Sequence, residues 1–197
     1  MKISLRTSIV FVVIACLAFA KEDYFPKGTF SSNQAYDKSS AQRYSKYLAA
    51  FREPSLYKLS QLPSAHSYRF LWLRTFHHPV SVRVEIGRDG IGLVTTKVTD
   101  GAGGYSPGRM KLNRTRRLTK QQTDWLLERI NALGFWSLAV HEAPGGFDGA
   151  QWVIEGVKDG KYHVVDRWSP KSGAVRSLGL DMAIDLGRLK MAAKDIY

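Results

Sequence analysis

Cysteine is almost absent. Cys16 is the only one in 197 residues, and it falls in an N-terminal segment that the sequence marks for removal. Without it the mature chain has no disulfide, no thiolate ligand for zinc and no thiol nucleophile. Its apolar core must then suffice. Carboxylates are scarce as well: 17 Asp and Glu stand against 29 Lys and Arg, a formal charge of +12. That imbalance favours anionic partners and says nothing of fold. The apolar run Ile9 to Leu17 is shorter than the ~20 residues a spanning helix needs. His-x-x-x-His and His-Glu-x-x-His spacings are missing. So is a Gly-Lys-Ser/Thr after the glycine-rich loop. These absences count against a metal site and a P-loop. No cofactor motif and no repeat of solenoid length is visible.

What is present begins with Lys2 and Arg6, the apolar run, and then Ala18-Phe19-Ala20. This is the pattern of a secretory signal peptide cleaved after Ala20, which predicts a periplasmic or extracellular protein. A second reading takes Val13-Ile14-Ala15-Cys16 as a lipobox, with Cys16 lipidated and the chain membrane-associated. The apolar residues that follow Cys16 are unlike a usual tether, so simple cleavage is the expectation.

The remainder divides into residues 21–66, a polar leader with a short aromatic helix, and 67–197, a single α+β domain. In the leader, residues 21–40 show no period. Ser39-Ser-Ala-Gln42 resembles a capping box, and Tyr44, Tyr47, Leu48 and Phe51 follow at helical spacing. In the domain, Tyr68 to Thr75 reads as a strand buried on both faces. Val82, Val84 and Ile86 alternate with Arg83 and Glu85, and Asp89-Gly90 closes a turn onto a return strand, Leu93 to Val98. Met110 to Leu118 reads as a heavily basic strand. Thr119-Lys-Gln-Gln122 caps a helix carrying Leu126, Ile130 and Leu133, with Gly134 as its stop. Phe135 and Trp136 are expected to dock its end into the core. Asp159-Gly160 predicts a second hairpin, which pairs Val157 with Tyr162, Ile154 with Val165, Val153 with Asp166 and Trp152 with Arg167. Val175, Leu178, Met182, Leu186 and Leu189 predict one amphipathic helix laid on the sheet. The expected fold is α+β, a mostly antiparallel sheet of about five or six strands with two amphipathic helices.

Ser81-Val-Arg-Val-Glu-Ile-Gly-Arg-Asp-Gly90, Leu118-Thr-x-x-Gln122 and Gly134-Phe-Trp-Ser-Leu138 together resemble a family of uncharacterised exported bacterial domains. The resemblance spans roughly residues 68–190. It implies a bacterial origin and a compact α+β domain, and it implies no activity. Members of that family often carry cysteines just before the first hairpin. This chain has His77-His78-Pro79 there, so no role of those cysteines carries over.

The candidate chemistry is sparse. Gly104-Tyr-Ser106-Pro-Gly108, followed by Asp148 and His163, has the order of a serine hydrolase triad. Pro107, however, lacks the N–H an oxyanion hole needs after the serine, and no helix follows. Glu155 and Asp166 share a hairpin face, and with His163 they form the alternative acid–base set of an envelope-polymer hydrolase. His163 itself sits opposite Gly156, where it is expected to fill the space the glycine leaves. Trp152 and Arg167 are expected to form a cation–π pair. Arg109, Lys111, Arg114, Arg116, Arg117 and Lys120 form the densest basic cluster. Export sets nucleic acid aside and points instead to an anionic envelope component or an acidic protein partner, engaged by Arg114, Arg116, Arg117 and Lys120. The pattern leans away from an enzyme and towards a binding module. A third reading is a structural subunit of an envelope assembly, docked through the Tyr-rich segment 36–51.

Overall fold

The computed structural model describes residues 24–142 and 145–197; the expected signal peptide, with the expected cleavage after Ala20 or lipidation at Cys16, lies outside the described residues. Helix α1 (Gln34–Ala50) and the short α2 (Leu56–Leu59) precede strands β1 (His66–Arg74), β2 (Val80–Ile86), β3 (Gly92–Thr99) and β4 (Met110–Arg117). Helix α3 (Lys120–Ala132), strands β5 (Ala150–Lys158) and β6 (Lys161–Trp168), and helix α4 (Ala174–Leu180) follow. The six strands form one sheet in the order β4-β3-β2-β1-β5-β6, antiparallel throughout. The α+β class holds: α3 and α4 are the two helices expected in the domain, α1 is the expected aromatic helix, and the short α2 is the addition.

The hairpins obey local rules. Asp159 and Gly160 both take positive φ, 51° and 72°, which a two-residue type I′ turn requires. All four predicted β5–β6 pairs are present. Thr119 and Gln122 form the reciprocal capping box at the start of α3. Phe135 docks into the core as expected, 1% exposed.

Both faces of the sheet are covered. Tyr68, Phe70, Trp72, Val82, Val84, Trp152 and Ile154 line the first face, under Leu126 and Ile130 of α3 and Val175 and Leu178 of α4. The last predicted helix does not run through. It changes to a π-helical turn over Asp181–Leu186 and ends at Gly187 and Arg188, the latter at φ 52°. The wider turn leaves the carbonyls of Leu186 and Gly187 pointing at the arginines of β4.

The second face is covered by the segment expected to be a leader. Tyr24, Phe25 and Phe30 are buried with Tyr44, Tyr47, Leu48 and Phe51 of the α1 region, against Leu71, Leu73, Val153 and Val164. Helix α1 starts before Ser39, capped by Asn33, whose side chain accepts from the N–H groups of Ala35 and Tyr36. One turn in, the buried carboxylate of Asp37 accepts from Gly28 N and Phe30 N, both at 2.8 Å. This folds the preceding chain back over the helix. The aromatic stripe of α1 is therefore core, not a docking surface.

Candidate functional site

The acid–base set falls on two sides of the sheet. Glu155 and Asp166 do share the second face, but both are sealed beneath α1 and α2, at 0% and 1% exposure. Glu155 accepts from Arg69 Nε at 2.8 Å, from the same guanidinium's Nη2 at 2.5 Å, and from Tyr162 OH at 2.9 Å. Burial pushes its carboxyl above the ordinary glutamate range, against the pull of Arg69. Asp166 accepts from Gln151 Nε2 and from Tyr44 OH at 2.9 Å, with His141 Nδ1 at 3.7 Å. Burial raises it too, opposed by those two donors. His163 lies on the opposite face, between Phe135 and Trp136 at ring distances of 5.1 and 6.2 Å. It does stand opposite Gly156, but the space above that glycine is filled by Phe135 and Tyr68. Neither carboxylate is open to a substrate, and the sheet separates both from the histidine.

Beside Glu155 lies a second buried ionic group. Glu53, just past α1, meets Arg83 Nε at 2.7 Å, Lys97 Nζ at 2.6 Å and Arg69 Nη1 at 3.6 Å. Its own burial works to raise its pKa, but the three cations outweigh that and hold it low. Sequence reasoning missed this cluster. Alternation of Arg83 with valines does not tell a solvent side from a covered one, and here the segment that follows α1 buries it.

The other candidates are occupied structurally. In the glycine-rich loop, Gly103 N donates to Arg74 O and His77 O, and Gly104 N to Thr75 O, so these groups are not free to cradle a phosphate. Ser106 and Asp148 are exposed loop residues. His77 pairs with Tyr197 OH at 2.7 Å, and His78 with Gly101 O at 3.0 Å. Among the described residues no group of three or more His, Asp, Glu or Cys is placed to hold a metal, and no helix is long and apolar enough to cross a membrane. A surface depression of about 620 Å³ beside the β2–β3 turn is lined by Glu85, Arg88, Asp89 and Arg117, with none of the acid–base candidates. Trp152 takes Arg176, not Arg167, as its cation, at 5.7 Å. Arg167 instead binds Ala139 O, Val140 O and Glu142, which fastens that segment along β6.

The basic quartet divides. Arg117 is paired with Asp89 at 2.6 Å, and Lys120 with Asp124. Arg114 and Arg116 project together from the other side of β4 onto the end of the π-helical turn. Arg114 Nη2 donates to Gly187 O at 2.7 Å, and Arg116 Nη2 to Leu186 O at 2.6 Å. Arg188 joins them. Arg116 is lowered by partial burial first, and then by the charges of Arg188 and Arg114. Among the described residues no carboxylate lies within 4.0 Å of any of these three guanidiniums. Arg188 is distant in sequence, and no pattern around it signals a role at β4. Compared with known proteins, the chain matches no family model and no curated relative.

Proposed function

We propose that this protein is an exported, non-catalytic binding module that engages an anionic envelope component or an acidic protein partner. The contact surface is the patch formed by Arg114, Arg116 and Arg188. One observation carries this reading: Arg114 and Arg116 of the edge strand gather with Arg188 from the end of the π-helical turn, and among the described residues no carboxylate pairs with any of the three. Such a concentration of like charge is relieved by a bound anion. The carbonyls of Leu186 and Gly187 hold two of the arginines in place, which lowers the ordering cost of binding. Export rests on the N-terminal pattern alone. The hydrolase reading is disfavoured by the sealed carboxylates, and the docking-helix reading by the buried stripe of α1.

The test is retention of the purified protein on dextran sulfate across a salt gradient. Arg188 makes none of the carbonyl contacts with its side chain, so Arg188→Glu changes charge without removing a hydrogen bond. It should weaken binding at low salt by about fivefold or more, on the scale of one cation near an anionic surface. Lys120→Ala, at a residue already neutralised by Asp124, should stay within about twofold of the parent. Equal retention of parent and Arg188→Glu would overturn the proposal.

A further inference from the structure

The two edges of the sheet are treated differently. At β6 the segment 139–142 closes the edge: Asp166 N donates to Val140 O at 2.7 Å, and His141 bridges Asp166 in parallel. At β4, among the described residues, no backbone group hydrogen-bonds on the outer side. The phase of the ladder says which groups are free. Leu118 N donates to Gly92 O, so the pairs Val94–Arg116 and Thr96–Arg114 are the hydrogen-bonded ones. The N–H and C=O groups of Asn113, Thr115 and Arg117 therefore point outward, over about 13 Å of strand. A charged edge by itself serves to keep strands from aggregating. Here the edge also runs beside the unneutralised cluster, with Arg114 and Arg116 at alternate positions and Arg188 flanking them.

We infer that the open edge of β4 binds an acidic, extended segment of a partner protein as an added seventh strand. This rests on the anion-binding reading above and names its partner. Main-chain hydrogen bonds to Asn113, Thr115 and Arg117 hold the segment, and its alternate side chains fall on the two sides of the sheet. One set meets Arg114, Arg116 and Arg188, and so must be acidic. The other set meets the neutral side chains of Asn113 and Thr115. A second copy of this chain is excluded as occupant, because β4 against β4 sets arginine and lysine against like charge with no carboxylate on either strand.

The probe is a labelled octapeptide alternating Glu with Thr, read by fluorescence anisotropy against the purified protein. Its control is the same peptide methylated at every backbone nitrogen, which keeps the charges and removes the donors. Inorganic polyphosphate, detected as a competitor, reports binding by charge alone. Asn113→Pro deletes one outward N–H, keeps every charge and leaves the β3–β4 ladder intact. The expected result is that Asn113→Pro and peptide methylation each weaken peptide binding by about fivefold or more, while polyphosphate competes equally well against parent and variant. Equal binding of plain and methylated peptide overturns strand addition. If polyphosphate binding still falls in Arg188→Glu, that result leaves the charged patch as a polyanion site. Failure of both probes to bind, with no effect of Arg188→Glu, overturns both readings. Should Asn113→Pro not fold, the methylated peptide decides alone.

Discussion

Replacing Glu53 by glutamine should lower the free energy of unfolding by about 3–5 kcal/mol, the range for removing one partner from a buried ionic group. Glu53 is 3% exposed and is the shared counter-charge for Arg69, Arg83 and Lys97. Its position is set by the end of α1. Arg52 takes φ 52°, and Glu53 N donates back to Leu48 O, which turns the side chain onto the sheet. Without the carboxylate, Arg69 keeps Glu155 and Arg83 keeps the half-exposed Glu85, while Lys97 loses its carboxylate partner. Adding Lys97→Met to Glu53→Gln should recover part of the loss, because the uncompensated ammonium is then gone. The pH dependence has a definite sign. The folded pKa of Glu53 lies below its unfolded value, so its contribution is complete above the unfolded pKa and is lost as pH falls through the folded one. Denaturant titrations at several pH values should therefore show the parent's advantage over Glu53→Gln shrinking on acidification. A constant gap across the acid range would mean that the carboxylate is not held by the cations.

The features legible in the sequence are those set by neighbours in the chain. Asp159-Gly160 dictates a turn, the turn dictates the register, and the register places Val153 opposite Asp166. The capping box at Thr119 is likewise local. What failed depends on distant partners. Residues 24–33 look like a leader because polar residues outnumber the aromatics, yet Asp37 captures Gly28 and Phe30 and turns Tyr24, Phe25 and Phe30 inward. Arg69 sits in a strand whose apolar neighbours announced burial, but nothing local identified Glu155 or Glu53 as its partners. The basic site was half legible. Period two by itself sets Arg114 and Arg116 on one side of β4 and Arg117 on the other, as the structure has them. The neutralising Asp89 and the added Arg188 arrive from other elements, so Arg117 could not be removed from the set nor Arg188 put into it.

Trp152→Ala should destabilise the protein by about 3–5 kcal/mol, the cost of truncating a fully buried aromatic side chain. Trp152 is 0% exposed, with ring centroids 4.7 Å from Trp72 and 5.1 Å from Phe70. Its Nε1 donates to Tyr197 O at 2.9 Å, an acceptor shared with Trp72 Nε1 at 3.3 Å. Helix α4 packs so closely here that a Cβ on Gly179 would lie 2.6 Å from the indole. The helix therefore rests on this ring, and losing the ring opens a cavity beneath it. Trp152→Phe keeps most of the apolar volume and loses the N–H, so it should cost less, about 1–3 kcal/mol. Chemical denaturation of the two variants checks the ranking; a small effect of Trp152→Ala would mean that the β5–β6 hairpin is not the core element it looks like. The same variants separate stability from binding. In the strand order β5 lies four places from β4, about 19 Å away at normal strand spacing. The one element that joins them is α4 with its π-helical turn, and Trp152→Phe keeps an aromatic ring beneath that helix. Folded Trp152→Phe should therefore bind dextran sulfate as the parent does, while Arg188→Glu should lose binding with its stability nearly unchanged.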